Sequence, residues 1–177
     1  MKHSYVVGLT LVAVSVVLAG CTNKTVSQSV GETMMEKSIE AQTGGKVDID
    51  SRGDKVTIKT NEGQTQYSAE GGVKQPDGFP KELIVTSDAK LIIASSSGAG
   101  SSLTYLTNSD KVIVSEKYIN SLTGFGWKKE METNTGQGTM LNFSKGNQNA
   151  FVVIGDNSTD DKTAKTTVNV TYTIEEE

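Results

Sequence analysis

The sequence predicts an α+β fold of mainly antiparallel β meanders packed by two short helices. Three observations carry that prediction. Short runs with apolar residues at every second position recur along the chain, two stretches place apolar residues at helical spacing, and clusters of Gly, Asn, Asp and Ser separate them.

In order, Ser29 with Glu32 forms a capping-box pattern. Val30, Met34, Met35, Ser38, Ile39 and Ala41 then recur at helical spacing until Thr43-Gly44-Gly45 ends the pattern. Glu32, Glu36 and Glu40 fall on the other side and read as a solvated face. From Lys46 the period becomes two: Val47 and Ile49, then Val56 and Ile58, then a run ending in Tyr67, separated by Ser51–Asp54 and Asn61–Gly63. Gly71 to Pro80 holds both prolines of the chain, Pro76 and Pro80, which cannot donate to a ladder, so it reads as a loop or linker.

Leu83–Val85, Lys90–Ala94 and Ser102–Thr107 follow as strands, with the small-residue stretch from Ser95 as a flexible hairpin loop between the last two. In Ser109–Leu122, Val114, Tyr118 and Leu122 are spaced by four and predict the second helix. The β-branched run Val112-Ile113-Val114 fits a strand as well, leaving a turn or two of helix over Glu116–Ser121. Gly124 and Gly126 close the segment either way. Trp127–Thr133, Gly138–Ser144, Ala150–Gly155 and Lys165–Ile174 complete the strands. The last alternates strictly and predicts one buried face, whereas the unbroken apolar run Ala150–Ile154 predicts a central strand covered on both sides.

The two halves share an outline: a helix, a Thr-Gly pair at Thr43 or Thr123, and three strands with a Gly- and Asn-containing second turn. A duplicated helix-plus-meander unit is the expectation drawn from it. The division read along the chain is 1–20 a signal, 21–29 a tether, 30–70 a helix with a β meander, 71–82 a loop or linker, and 83–177 an α+β domain.

The first of these segments has its own signature. Tyr5 to Leu18 is largely apolar and is followed by Ala19-Gly20-Cys21. A permanent span needs roughly 20 apolar residues, so the shorter run reads as a signal peptide. Leu18-Ala19-Gly20-Cys21 resembles the lipobox of bacterial lipoprotein precursors, in which the chain is cut before the cysteine and the thiol is acylated. The resemblance implies lipidation at Cys21, tethering to a bilayer, and a bacterial envelope location. Thr22 after the cysteine, where an Asp would favour inner-membrane retention, points to the outer membrane facing the periplasm in a Gram-negative cell. Each buried methylene contributes about 0.8 kcal/mol, so two or three chains hold a protein at a membrane almost permanently.

Cleavage at that point changes the available chemistry. Cys21 is the only cysteine and His3 the only histidine, and His3 leaves with the signal. The remaining domain has no imidazole to serve a Ser or Cys triad or to bind zinc, which argues against most hydrolases. With Lys2 removed, 16 basic residues face 21 acidic ones, a balance that repels nucleic acid.

Candidate sites are few. Ser87 and Lys90 have the S-x-x-K spacing of Ser/Lys acyl enzymes, but Asp88-Ala89 reads as a turn and the partner motifs are absent. Asp156, Asp160 and Asp161 share one loop and form a weak Ca²⁺ candidate without the spacing of a calcium loop. Ser95–Ser102 lacks the strand–loop–helix context of an anion cradle. Phe125 and Trp127 flank Gly126 and offer a partner surface, with Trp127 read first as a core residue.

The stretches GGKVDIDSRGDKVTIKTNEGQTQYSA and FPKEL…YINSLTGFGW resemble a group of uncharacterised bacterial lipoproteins and secreted proteins. That resemblance spans most of residues 40–155 and implies architecture and location without an active site. The chain departs from the group at Ile84–Ala89, where relatives tend to carry a Pro- and Gly-containing segment. The expected function is therefore a non-enzymatic binding or structural module, without cofactor, facing an envelope protein partner. The alternatives are a carrier holding a small apolar ligand between sheet and helix, and a histidine-independent cell-wall hydrolase.

Overall fold

The computed structural model describes residues 33, 36–38, 40–41, 48–52, 55–159 and 161–175. The lipobox Leu18–Cys21, the tether and Asp160 lie outside them; of the first predicted helix, Thr33, Glu36–Ser38, Glu40 and Ala41 are described, and they are helical. Among the described residues no helix is long and apolar enough to cross a membrane.

The strands are β1 (Asp48–Arg52), β2 (Lys55–Thr60), β3 (Gly63–Ser68), β4 (Lys90–Ser97), β5 (Gly100–Thr107), β6 (Lys128–Thr135), β7 (Gly138–Lys145), β8 (Gln148–Asp156) and β9 (Thr166–Ile174). They form one antiparallel nine-stranded sheet in the order β1-β2-β3-β4-β5-β9-β8-β7-β6. Two meanders thus enter from opposite edges and meet where β5 pairs with β9, Leu103 opposite Val170 and Tyr105 opposite Val168. Residues 71–82 are a loop within this sheet, because β3 on one side of it pairs with β4 on the other, Gln66 opposite Ala94.

The helix α1 (Lys111–Gly124) carries the chain from the central strand β5 to the edge strand β6, packing against β6, β7, β8 and a 3₁₀ turn at Lys81–Leu83. Of the two readings of this segment the helix prevails over its whole length. Val114, Tyr118 and Leu122, four apart, are completely buried, whereas Val112 and Ile113 of the β-branched run are exposed. A Schellman motif ends it: Gly126 adopts φ +82°, Trp127 N–H donates to Leu122 O at 2.9 Å and Gly126 N–H to Thr123 O at 3.0 Å. The left-handed glycine turns the chain back, and Trp127 joins Leu122 in the core.

The inner face of the sheet and this helix enclose the core, in which Leu103, Tyr105, Tyr118, Leu141, Phe143, Ala150, Val152 and Val168 have no exposed surface. Burying each large apolar side chain contributes on the order of 1.5–3 kcal/mol, so this interface is the main source of stability.

Three expectations are corrected. Leu83–Val85 is not a strand: Pro80, at φ −63°, precedes a 3₁₀ turn in which Leu83 N–H donates to Pro80 O. Leu83 is anchored by complete burial rather than by a strand partner. The segment from Ser95 is not a flexible loop, since β4 runs to Ser97 and β5 starts at Gly100, leaving only Gly98-Ala99 as the turn. Ala150–Ile154 is covered on one face only: Ala150, Val152 and Ile154 are buried while Phe151 is 37% and Val153 36% exposed. The apolar run does lie in an interior strand, and among the described residues α1 packs against one side of it.

Candidate functional site

The space between helix and sheet is filled. Tyr118 on α1 donates its hydroxyl to Leu83 O at 2.7 Å and stands 3.1 Å from the hydroxyl of Tyr105 on β5. With Tyr118 already donating, the Tyr105 hydroxyl is left to donate to it. This chain ties the 3₁₀ turn, the helix and the sheet together in a dry environment. Burial pushes the Tyr105 phenol up to about 12, against an ordinary value of 10.0, and raises Tyr118 well above it too.

The open features lie on the opposite face. Between Leu91 and Ile93 the β4–β5 register shifts by a bulge: Leu91 stands opposite Tyr105 and Ile93 opposite Thr104, with Ile92 the extra residue. Leu91 packs against the core, while Ile92 and Ile93 both line a groove of about 710 Å³ on the outer face. A bulge bends its strand and re-aims side chains, which accounts for two consecutive isoleucines on one side. Leu106 of β5 and Tyr67 of β3 complete an apolar floor, Ala69 and Glu70 form one rim, and Ser158, Thr159 and Asp161 of the β8–β9 loop form the other.

Lys90 crosses this site. Its ammonium donates to Asp161 Oδ2 at 2.8 Å, and its aliphatic stem runs so close to Gly71 that a Cβ there would meet Lys90 Cγ at 2.7 Å. Gly71 has φ +82°, a conformation that side chains rarely adopt, so the sequence can place the lysine stem here only with glycine beneath it. Asp161 Oδ1 also accepts from Thr163 N–H at 3.0 Å and from the Thr163 hydroxyl at 2.6 Å. Lys90 first, then Thr163, holds its carboxyl well below the usual range. Asn157 fixes the loop that carries it, donating to Asp161 O at 2.7 Å and Ala164 O at 3.1 Å and accepting from Thr159 N–H at 2.9 Å.

A second groove of about 260 Å³, lined partly by Asp88, Thr107, Asn108 and Thr163, shares Lys90, Leu106 and Asp161 with the first. The two therefore meet at the Lys90–Asp161 pair. Asp88 is occupied, accepting from Asn108 N–H at 2.8 Å and the Thr107 hydroxyl at 2.7 Å, and the first of these chiefly lowers its pKa.

The sequence candidates are dispersed by this arrangement. Lys90 is engaged by Asp161, and Ser87 sits in an exposed turn. Asp156 pairs with Lys111 at 2.8 Å, so Asp156 and Asp161, two of the three proposed calcium ligands, face different lysines. Trp127 is 2% exposed and belongs to the core, which corrects its place in a partner surface; the Schellman turn directs it inward while leaving Phe125 56% exposed. Lys145 Nζ lies 5.9 Å from the indole centroid. Sequence reasoning missed Tyr67, Ile92, Ile93 and Leu106 as a group, because a bulge without glycine leaves no mark in the residue pattern.

A family model described as START domain-like matches residues 85–172, which take in β4 to β8, α1 and most of β9. No curated protein and no solved structure matches the chain.

Proposed function

We propose that this protein is a non-enzymatic envelope module, lipid-anchored through Cys21, that binds a small molecule with a substantial apolar part. The carrying observation is the groove of about 710 Å³ floored by Tyr67, Ile92, Ile93 and Leu106. Its size falls among small-molecule sites, which run from roughly 300 to 1,000 Å³ and combine apolar walls with a few polar groups. The START domain-like match supports a binding role. Complete burial of Tyr105, Tyr118, Leu122 and Phe143 at the helix–sheet interface favours the outer groove as the place of binding.

Replacing Ile93 with Glu in the groove floor tests the reading by calorimetric titration with single-chain amphiphiles. The wild type binds one molecule and the variant binds at least tenfold more weakly, with an unchanged unfolding midpoint. A wild type that binds none of them contradicts the proposal. Cys21→Ser tests the anchor, and the expected result is release of the protein from the membrane fraction.

The likeness of the two halves is proposed as a duplication on topology alone: β1–β3 and β6–β8 are meanders that run inward from opposite sheet edges. Unequal burial weighs against it, since β7 and β8 supply Leu141, Phe143, Val152 and Ile154 to the core while in β2 and β3 only Ser68 is buried.

A further inference from the structure

We propose that the ligand of the outer groove is a zwitterionic amphiphile whose two head-group charges are received by Lys90 and Asp161; this rests on the groove being the binding site. Among the described residues three charged side chains line the larger groove, Glu70, Lys90 and Asp161, and the last two are paired at 2.8 Å at the junction with the smaller groove. The side chains of the pair are 37% and 16% exposed, so incoming groups can reach them from the site.

The pair discriminates by arithmetic of charge. A ligand anion drawn to the Lys90 ammonium arrives beside the Asp161 carboxylate and meets repulsion from it. A ligand cation drawn to Asp161 meets the same repulsion from Lys90. A head group with both charges a few ångströms apart offers Lys90 and Asp161 each its opposite, so neither member of the pair loses its partner. The apolar floor of Tyr67, Ile93 and Leu106 begins at the same lysine, because Lys90 stands opposite Leu106 in the β4–β5 register. Head and chain are thus recognised by adjacent positions on two paired strands.

Calorimetric titration with three single-chain amphiphiles of equal chain length, below their micelle concentrations, tests this. They are a lysophosphatidylethanolamine, a lysophosphatidylglycerol and an alkyltrimethylammonium. The zwitterionic lipid is expected to bind about tenfold tighter than either singly charged one. Lys90→Met and Asp161→Asn each abolish that preference, and the exchanged pair Lys90→Asp with Asp161→Lys restores it, which separates recognition from a folding defect. Glu132→Gln, on the edge strand β6, leaves the preference in place. Equal affinity for all three lipids, or a preference that survives both single substitutions, overturns the zwitterion assignment while the groove reading stands. Failure of all three to bind the wild type overturns both.

Discussion

The two faces of the sheet are built from similar residues and end in opposite states. On the inner face Tyr105, Phe143 and Ile154 are sealed against Tyr118 and Leu122 of α1, with no exposed surface on any of them. On the outer face Tyr67 stays 42% and Phe151 37% exposed and Ile93 is half-buried, while Ile92 and Leu106, though buried themselves, lie along the groove. Hydrophobic character alone therefore decides neither burial nor function. Among the described residues the difference is cover: α1 packs against β6–β8 on one side, while on the other Ser158, Thr159 and Asp161 contribute a rim to the groove. The closed face stores the stability, and the other is where the proposed ligand would bind.

Substitutions separate these roles. Phe143→Ala, on the closed face, removes a wholly buried ring and is expected to cost about 3–5 kcal/mol in denaturant unfolding. Amphiphile affinity of the molecules that remain folded stays the same. Tyr118→Phe deletes the donor to Leu83 O and the acceptor of Tyr105, and about 1–3 kcal/mol of stability goes with them. A loss of amphiphile affinity in that variant would break the division between faces. Gly126→Ala, at φ +82°, is expected to cost about 1–2 kcal/mol, read as a lower melting temperature. Phe151→Thr on the open face changes stability by no more than about 0.5 kcal/mol.

Acid and alkali strike the two faces separately as well. The Tyr105 phenol is raised in the folded state, so its burial contributes stability fully below pH 10.0; that contribution is lost as pH climbs towards about 12. Alkaline unfolding followed by circular dichroism and tyrosinate absorbance should show the core opening as the phenols ionise. Asp161 is lowered in the folded state, so its pairing stabilises above the ordinary carboxylate range and weakens as pH falls through and below it. Acid titration followed by amide exchange should loosen the 157–165 loop before the core, and Asp161→Asn should remove that early phase.

The legible part of this fold was the part governed by local periodicity. The four-residue spacing of Val114, Tyr118 and Leu122 marked the buried stripe of α1, and the alternation of Val168, Val170 and Tyr172 marked the inner face of β9. Leu83–Val85 was misleading because three apolar residues bounded by turns fit a strand as well as a buried turn, and Pro80 set the geometry. Phe151 and Val153 were misleading for a global reason: whether a second layer covers a sheet is not a property of the strand. The candidate site was the least legible. It depends on a bulge at Ile92, on Gly71 lying under Lys90, and on a loop 71 residues away that brings Asp161 to that lysine.

Intermolecular nuclear Overhauser effects between a bound single-chain amphiphile and assigned methyl groups test the division most directly. Contacts from the alkyl chain to Ile92, Ile93 and Leu106 are the predicted result. Contacts to Val114, Leu122 and Val152 would place the ligand between helix and sheet and contradict the account.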